Sequence, residues 1–276
     1  MALFGLINFT KEGPGISKNA PKKRTFVVFF ETFFRNLWKF VPISFVYSLI
    51  SLPQITSGLA IAGITNVARN TARDKHSFGL SDFFDTIKKN WRQALPAGII
   101  NIIVYALLTF DVYYFYKGEG TSSAIGLGIC LTLMFVFTVM NYFIWTLMIT
   151  FKFSLKQIYK NSFRFVFINL KSNLICFLAQ ALVLAVAVGL VLLLIKYAIL
   201  VICIEFMILV TIHPTFKFLL IQYCVFPSIK KFIIDPYYEE HPDEDLEMRR
   251  NLGVYTPEPI VSEDGENEDG ENIFND

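Results

Sequence analysis

Asp111, Glu205 and His213 are ionisable residues that lie within long apolar stretches of this chain. A charged group in lipid is costly unless it is paired or wetted, so such residues are the first candidates for a functional site in a membrane protein. We expect the two carboxylates at similar depth near the outer ends of their helices. Two roles stay open for them: lining an outward-facing polar cavity or a partner contact, or purely structural burial in which Asp111 reaches water. His213 precedes Pro214 and indicates a helix kink, with a structural role for the imidazole.

No recognised catalytic pattern accompanies these residues. The chain has no HExxH, GxSxG or GxxxxGK[ST] sequence, and its four cysteines fall within apolar stretches without the spacing of metal ligands. Nothing in the sequence indicates that Asp111 and Glu205 face one another as a glycosidase pair would. The sequence therefore predicts a protein that is not an enzyme and that has no cofactor and no metal site.

The composition indicates an integral membrane protein. Of the 276 residues 54% are hydrophobic, only 17% are charged, and 29 are Phe, which exceeds what a soluble domain carries. A bilayer core about 30 Å thick requires about 20 apolar residues per helix. We therefore predict an all-α, polytopic membrane helix bundle with about six transmembrane helices plus amphipathic cytoplasmic helices. The predicted spans are residues 27–52, 54–72, 95–116, 123–151, 172–195 and 198–227.

The second predicted span is the weakest, because ITSGLAIAGITNVA contains several polar and small residues. It would enter the membrane mainly by pairing with the first span as a hairpin. Gly58 and Ala62 repeat at four residues, a spacing of small side chains that permits close helix contact.

The placement of Lys and Arg predicts the orientation. Basic residues cluster before the first span, between the second and third, between the fourth and fifth, and after the sixth, whereas the opposite side has only Lys117 and Lys196. Because positive charge accumulates in cytoplasmic loops, we predict a multi-pass protein of the cell membrane with both termini in the cytoplasm.

Two basic amphipathic segments are predicted on the cytoplasmic side. Ser81 is a candidate N-cap for a helix whose apolar stripe includes Phe84 and Trp91, and SLKQIYKNSFRFVFI forms the second segment. Either segment would lie on the bilayer or would dock a cytoplasmic partner. The residues of this possible partner surface are Phe84, Lys88, Trp91, Arg92, Lys156, Lys160 and Arg164.

The two ends of the chain differ in charge from the membrane domain, which we assign to residues 26–233. Residues 1–25 form a predicted cytoplasmic arm rich in Gly, Pro and Lys. Residues 234–276 form a predicted cytoplasmic tail that contains 15 of the 23 acidic residues of the chain and should be largely disordered.

Several segments together resemble the YesL-like family of bacterial integral membrane proteins. They are GPGISKNAPKKR, FFETFFRNLWKF, SLPQITSG, SDFFDTIKKNWRQAL and TFKFLLIQYCVFPSIKKF. The resemblance covers roughly residues 1–233. It implies no activity, because none is established for the family. Its members are often encoded beside carbohydrate ABC importers and glycan-degrading enzymes of Gram-positive bacteria.

Two functions follow as expectations. The first is a non-catalytic accessory or interaction subunit of a bacterial carbohydrate ABC importer, with the lipid bilayer, permease and solute-binding subunits as partners and no nucleic acid. The alternative is a small independent transporter or channel for a small solute, with Asp111 and Glu205 beside its pathway. The absence of the Glu-Ala-Ala loop of importer permeases argues against a permease in its own right.

Overall fold

The structure is a computed structural model that describes residues 24–75 and 77–240. The predicted arm, residues 1–25, and the predicted acidic tail, residues 234–276, therefore lie almost wholly outside the described residues. The chain divides into two units, residues 1–224 and 225–276. In the described part of the chain all regular structure is helical, which agrees with the predicted all-α class.

The helices of the first unit follow one another with short connections. In chain order they are α1 (Thr25–Arg35), α2 (Leu37–Ser51), α3 (Ser57–Ala72), α4 (Leu80–Lys117), α5 (Thr121–Thr150), α6 (Leu155–Ile168), α7 (Leu170–Leu193), α8 (Ala198–Thr211) and α9 (His213–Ile229). The last helix continues into the second unit, where a π-helical stretch, Lys230–Ile234, leads to α10 (Asp235–Glu240).

The most buried helix is α3, and it is also the least apolar of the predicted spans. Nine of its 16 residues are buried, and it packs against α1, α2, α4 and α5. Because protein rather than lipid surrounds α3, its polar side chains do not incur the cost of exposure to lipid. Arg69 illustrates this, since its guanidinium donates to the carbonyl of Ile149 at 3.1 Å and to Thr150 Oγ1 at 2.8 Å.

A glycine contact allows α3 to approach α4. A Cβ atom on Gly58 would lie 2.2 Å from the carbonyl oxygen of Ala94 and 2.8 Å from the Cα of Gly98. The two backbones therefore touch where both residues are glycine. The spacing of Gly58 and Ala62 indicates a close helix contact with the first span, whereas Gly58 meets α4. Further along α3, Gly63 accommodates the ring of Phe83 in the same way.

Within residues 24–75 and 77–240, three helices are long and apolar enough to cross a membrane: α4, α5 and α7. A fourth candidate is the bent stretch formed by Ile195–Thr211 and His213–Tyr237. The prediction of six spans is thus supported for three or four. In the first predicted span the helix breaks at Asn36, which leaves 15 residues in α2, or about 22 Å at about 1.5 Å per residue. The second predicted span is α3, whose polar composition fits a buried helix better than a lipid-facing one.

The predicted surface helix and the predicted third span form one element. Helix α4 runs without interruption for 38 residues and contains Pro96. It begins at Leu80 after Gly79, whose φ is +68°, and no side chain caps it, so the prediction of Ser81 as N-cap is wrong. Instead the Asp82 carboxylate accepts from the N–H of Phe78 at 3.1 Å, which places negative charge beside the N-terminus of the helix.

We expect Gly58→Leu to destabilise the protein, because the new side chain must displace the backbone of α4. Overpacking of this kind should lower the melting temperature in mild detergent by about 5 °C or more. Gly128→Leu is the matched control, since a Cβ atom there meets nothing within 4 Å. Equal melting temperatures for the two variants would contradict the close α3–α4 contact.

Candidate functional site

A cavity of about 460 Å³ lies within the helices of the first unit. Side chains from α2, α3, α4, α5, α7 and α9 line it, together with the turn between α2 and α3. Most of these side chains are polar or aromatic. The lining residues are Tyr47, Ser51, Gln54, Ser57, Ile61, Asn101, Ile102, Tyr105, Thr138, Asn141, Tyr142, Trp145, Gln180, Lys217, Phe218 and Ile221.

A broken helix positions one wall of this cavity. The helical stretches Ile195–Thr211 and His213–Tyr237 meet at a bend of 53°, which confirms the kink predicted at His213. A break leaves backbone groups without helical partners, and these need other partners when they are buried. Two serines of α2 supply them.

Each serine satisfies one side of the break. Ser48 Oγ donates to the carbonyl of Val210 at 3.1 Å, near the end of α8. Ser44 Oγ accepts from the N–H of Thr215 at 3.3 Å, in the first turn of α9, and lies 2.9 Å from Thr215 Oγ1. Helix α2 therefore holds the bend in place, and the bend directs the following turn of α9 into the cavity.

Lys217 lies one turn after His213 on α9 and brings an ammonium group to the cavity. The side chain is half-buried, and its Nζ lies 5.9 Å from the ring centroid of Phe218. Among the described residues no carboxylate forms an ion pair with it, and no Asp or Glu lines the cavity. The cavity is therefore positive and has no internal counter-charge.

Two asparagines meet on another wall. Asn101 of α4 donates through Nδ2 to Asn141 Oδ1 of α5, and the same oxygen accepts from Trp145 Nε1 at 3.3 Å. Asn101 is only 8% exposed, and its own Oδ1 has no hydrogen-bond partner. A buried amide oxygen without a partner is costly, so this atom is available to a ligand or water in the cavity.

Other hydrogen bonds fix the surrounding helices. Tyr105 OH lies 3.2 Å from Thr138 Oγ1, which joins α4 to α5. Gln222 donates to Thr146 Oγ1 at 2.9 Å, which joins α9 to α5. The helices around the cavity thus contact one another directly through polar side chains.

The three predicted intramembrane residues lie outside the lining of the cavity. Asp111 lies in α4 and Glu205 in α8, both half-buried, and neither is among the residues that line the cavity. The Oε1 atom of Glu205 is buried without a hydrogen-bond partner among the described residues. His213 is half-buried at the start of α9, outside the cavity lining but one turn from Lys217.

The predicted partner surface on α4 is exposed. Phe84 and Trp91 are 42% and 51% exposed, and the Arg92 guanidinium lies 5.6 Å from the centroid of the Trp91 ring. The opposite face of the same helix, which includes Phe83 and Thr86, packs into the protein. Lys88 is exposed as well, so the four predicted residues of α4 share an outward face.

The second amphipathic segment forms α6, as predicted. Ser154 begins it with a capping box, in which the Ser154 side chain and Gln157 exchange hydrogen bonds with each other's backbone N–H. Basic residues on the outer face of α6 are exposed. On the same helix, burial raises the pKa of Tyr159 to about 12. The exposed basic residues are Lys156, Lys160 and Arg164.

One hydrogen bond links the two amphipathic segments. Gln93 of α4 donates to the carbonyl of Phe153, just before the cap of α6, at 3.0 Å. Lys75 lies between α3 and α4. Its pKa is lowered by partial burial and by the positive charges of Arg73 and Arg69. The predicted partner surface therefore belongs to a connected region rich in basic residues.

Sequence reasoning missed Lys217, Asn101 and Asn141. The signal for Lys217 was present, since it lies within the apolar stretch 198–227 as Glu205 does. The asparagines have no such signal, because single amides within apolar helices occur without functional meaning. Among the described residues no cluster of His, Cys, Asp or Glu has the arrangement of a metal site.

Comparison with known proteins finds a family that part of this region resembles. No curated protein and no solved structure matches the chain. Residues 40–112 match a family described as "Protein of unknown function, DUF624". The matched segment runs through α2 and α3 and most of α4, so it includes the contact between Gly58 and Gly98 and the cavity residue Asn101. Residues 40–112, about a quarter of the chain, are therefore similar to the DUF624 family, for which no function is described.

Proposed function

We propose that this protein is a membrane transporter that binds a small polar solute in the cavity around Lys217. The observation that carries the proposal is a cavity of about 460 Å³ inside a bundle of apolar helices, whose largely apolar surface includes Lys217 and several amide and hydroxyl side chains. Pockets of this size hold small molecules. Polar groups within a membrane protein are costly to maintain and generally mark solute or ion pathways.

The broken helix α8–α9 supports a transport role. In many secondary transporters the binding site is formed at helices that break within the membrane, because a break frees backbone groups and directs side chains into the site. Here the break is stabilised by Ser44 and Ser48, and Lys217 follows within the next turn. A bend between two helices can also act as a hinge for the conformational change that transport requires.

For the topology we propose six membrane crossings with both termini in the cytoplasm. In this arrangement α2 and α3 cross as a hairpin, and α4, α5, α7 and the bent pair α8–α9 supply the other four crossings. The short α2 would be accommodated by local thinning of the bilayer. The arrangement places the basic residues of α6, and those between α3 and α4, on the cytoplasmic side.

A second candidate function is an accessory subunit of a carbohydrate ABC importer. The observation that favours it is the exposed surface of α4 and α6, where Phe84 and Trp91 lie beside basic side chains. Aromatic residues and Arg are enriched at protein interfaces. The resemblance to the YesL-like family, whose members are often encoded beside such importers, supports the same candidate.

Reporter fusions test the topology. We expect alkaline phosphatase fused after Gln54 or Gly120 to be active, because both sites lie outside in the six-crossing arrangement. Green fluorescent protein should fluoresce when fused after Asp276. A fluorescent fusion after Gln54 with inactive phosphatase would show that α2 and α3 do not cross the membrane.

Cysteine labelling tests whether the cavity is open to water. We expect Thr138→Cys, in the cavity wall at the middle of α5, to react with a membrane-impermeant sulfonated thiol reagent. Leu133→Cys is the matched control, since it lies on the same helix and is 50% exposed on the outside of the bundle. It should stay unlabelled in lipid. Equal labelling of both variants, or of neither, would contradict a solute-binding cavity.

Copurification tests the accessory function. Tagged protein solubilised from its native host should elute with permease and solute-binding subunits if it is an importer subunit. The double change Trp91→Ala and Arg92→Glu should then remove these partners, whereas Lys196→Glu on the opposite side should retain them. A monodisperse protein without repeatable partners would overturn the accessory function.

A further inference from the structure

The charge of the cavity constrains what it can hold. Lys217 is the one ionisable Lys, Arg, Asp or Glu among its lining residues. An ammonium group removed from bulk water is costly unless it is paired or solvated. No described carboxylate forms an ion pair with it, so a bound anion would supply a counter-charge that the lining does not. A cationic solute would be repelled by Lys217 and would find no carboxylate.

The other side chains that line the cavity offer hydrogen-bonding groups and aromatic rings to a solute. Asn101 Oδ1 is a buried acceptor without a partner, and the amide of Gln180 and the hydroxyl of Ser57 lie on other walls. A lining that offers both donors and acceptors suits hydroxyl groups, since each hydroxyl both donates and accepts. The rings of Tyr142 and Trp145 provide apolar faces against which C–H groups pack.

We propose that the cavity binds a small hydroxylated organic anion, with the carboxylate paired to Lys217 and the hydroxyls hydrogen-bonded to Asn101 and its neighbours. This inference rests on the proposed solute-binding function and names the chemical class of the solute. An ammonium–carboxylate hydrogen bond is stronger than a neutral one. Lys217 therefore distinguishes an acid from the corresponding alcohol, and the amides distinguish a hydroxylated acid from a simple one.

The test compares two solutes that differ in one group. D-gluconate and sorbitol have the same six-carbon polyol chain, but gluconate ends in a carboxylate where sorbitol ends in a hydroxymethyl group. We expect gluconate to slow the labelling of Thr138→Cys in a saturable manner and to raise the melting temperature of the unmodified chain. Sorbitol and acetate should have at least about tenfold weaker effects, since each lacks one half of the interaction.

Variants of Lys217 identify the residue responsible. In the Thr138→Cys background, Lys217→Gln should weaken the protection by gluconate about tenfold or more. Lys217→Arg retains the charge and should retain most of the protection, which separates loss of charge from misfolding. Lys196→Gln, an exposed lysine outside the cavity, should behave as the unmodified chain.

The outcomes separate this inference from the proposed function. If Thr138→Cys is labelled but gluconate and sorbitol protect equally, or if Lys217→Gln leaves protection unchanged, the inference is overturned and the solute-binding cavity stands. If Thr138→Cys is labelled and gluconate gives neither protection nor thermal stabilisation, the assignment to hydroxylated anions falls. If Thr138→Cys is no more reactive than Leu133→Cys, the proposed function itself falls.

Discussion

The close approach of α3 to α4 is the contact on which the rest of the first unit depends. Gly58 and Gly98 meet backbone to backbone, and no other residue type fits at Gly58 without moving α4. Association of helices in lipid relies on close packing rather than on the hydrophobic effect. Because this contact holds α3 among α1, α2, α4 and α5, α3 can contain polar residues that lipid would reject. Arg69 and the cavity residue Ser57 both lie on this helix.

Two polar groups of the cavity lack a partner among the described residues. At the break of α8–α9, by contrast, Ser44 and Ser48 supply partners to backbone groups of the bent helices. Lys217 has no described carboxylate partner, and Asn101 Oδ1 has no hydrogen bond. In the proposed function, a solute or water that enters the cavity supplies the partners that these two groups lack. The cost of leaving them open is offset when water or a solute binds.

Much of the helical content follows from the sequence, whereas the assembly of the site does not. Apolar length identifies α4, α5 and α7, and His213 followed by Pro214 identifies the bend. Apolar length also suggests crossings at α2 and α3, but α2 is short after the helix break at Asn36 and α3 is buried within protein, so neither is among the helices long and apolar enough to identify as spans. Asp111 and Glu205 attract attention because charge in an apolar run is visible in the sequence. The pairing of Asn101 with Asn141, 40 residues apart, depends on how α4 packs against α5, and no local pattern records it.

Helix α4 connects the two regions that could carry function. Its first half presents Phe84 and Trp91 outward, and its second half places Asn101 at the cavity. Pro96 lies between them and has no N–H to donate to the carbonyl of Arg92, so the helix lacks one hydrogen bond at the junction of the two halves. A partner bound to the first half and a solute bound beside the second would therefore act on one continuous element with a weak point in its middle. The transport and accessory functions differ in what the protein does alone, but both depend on the same helix.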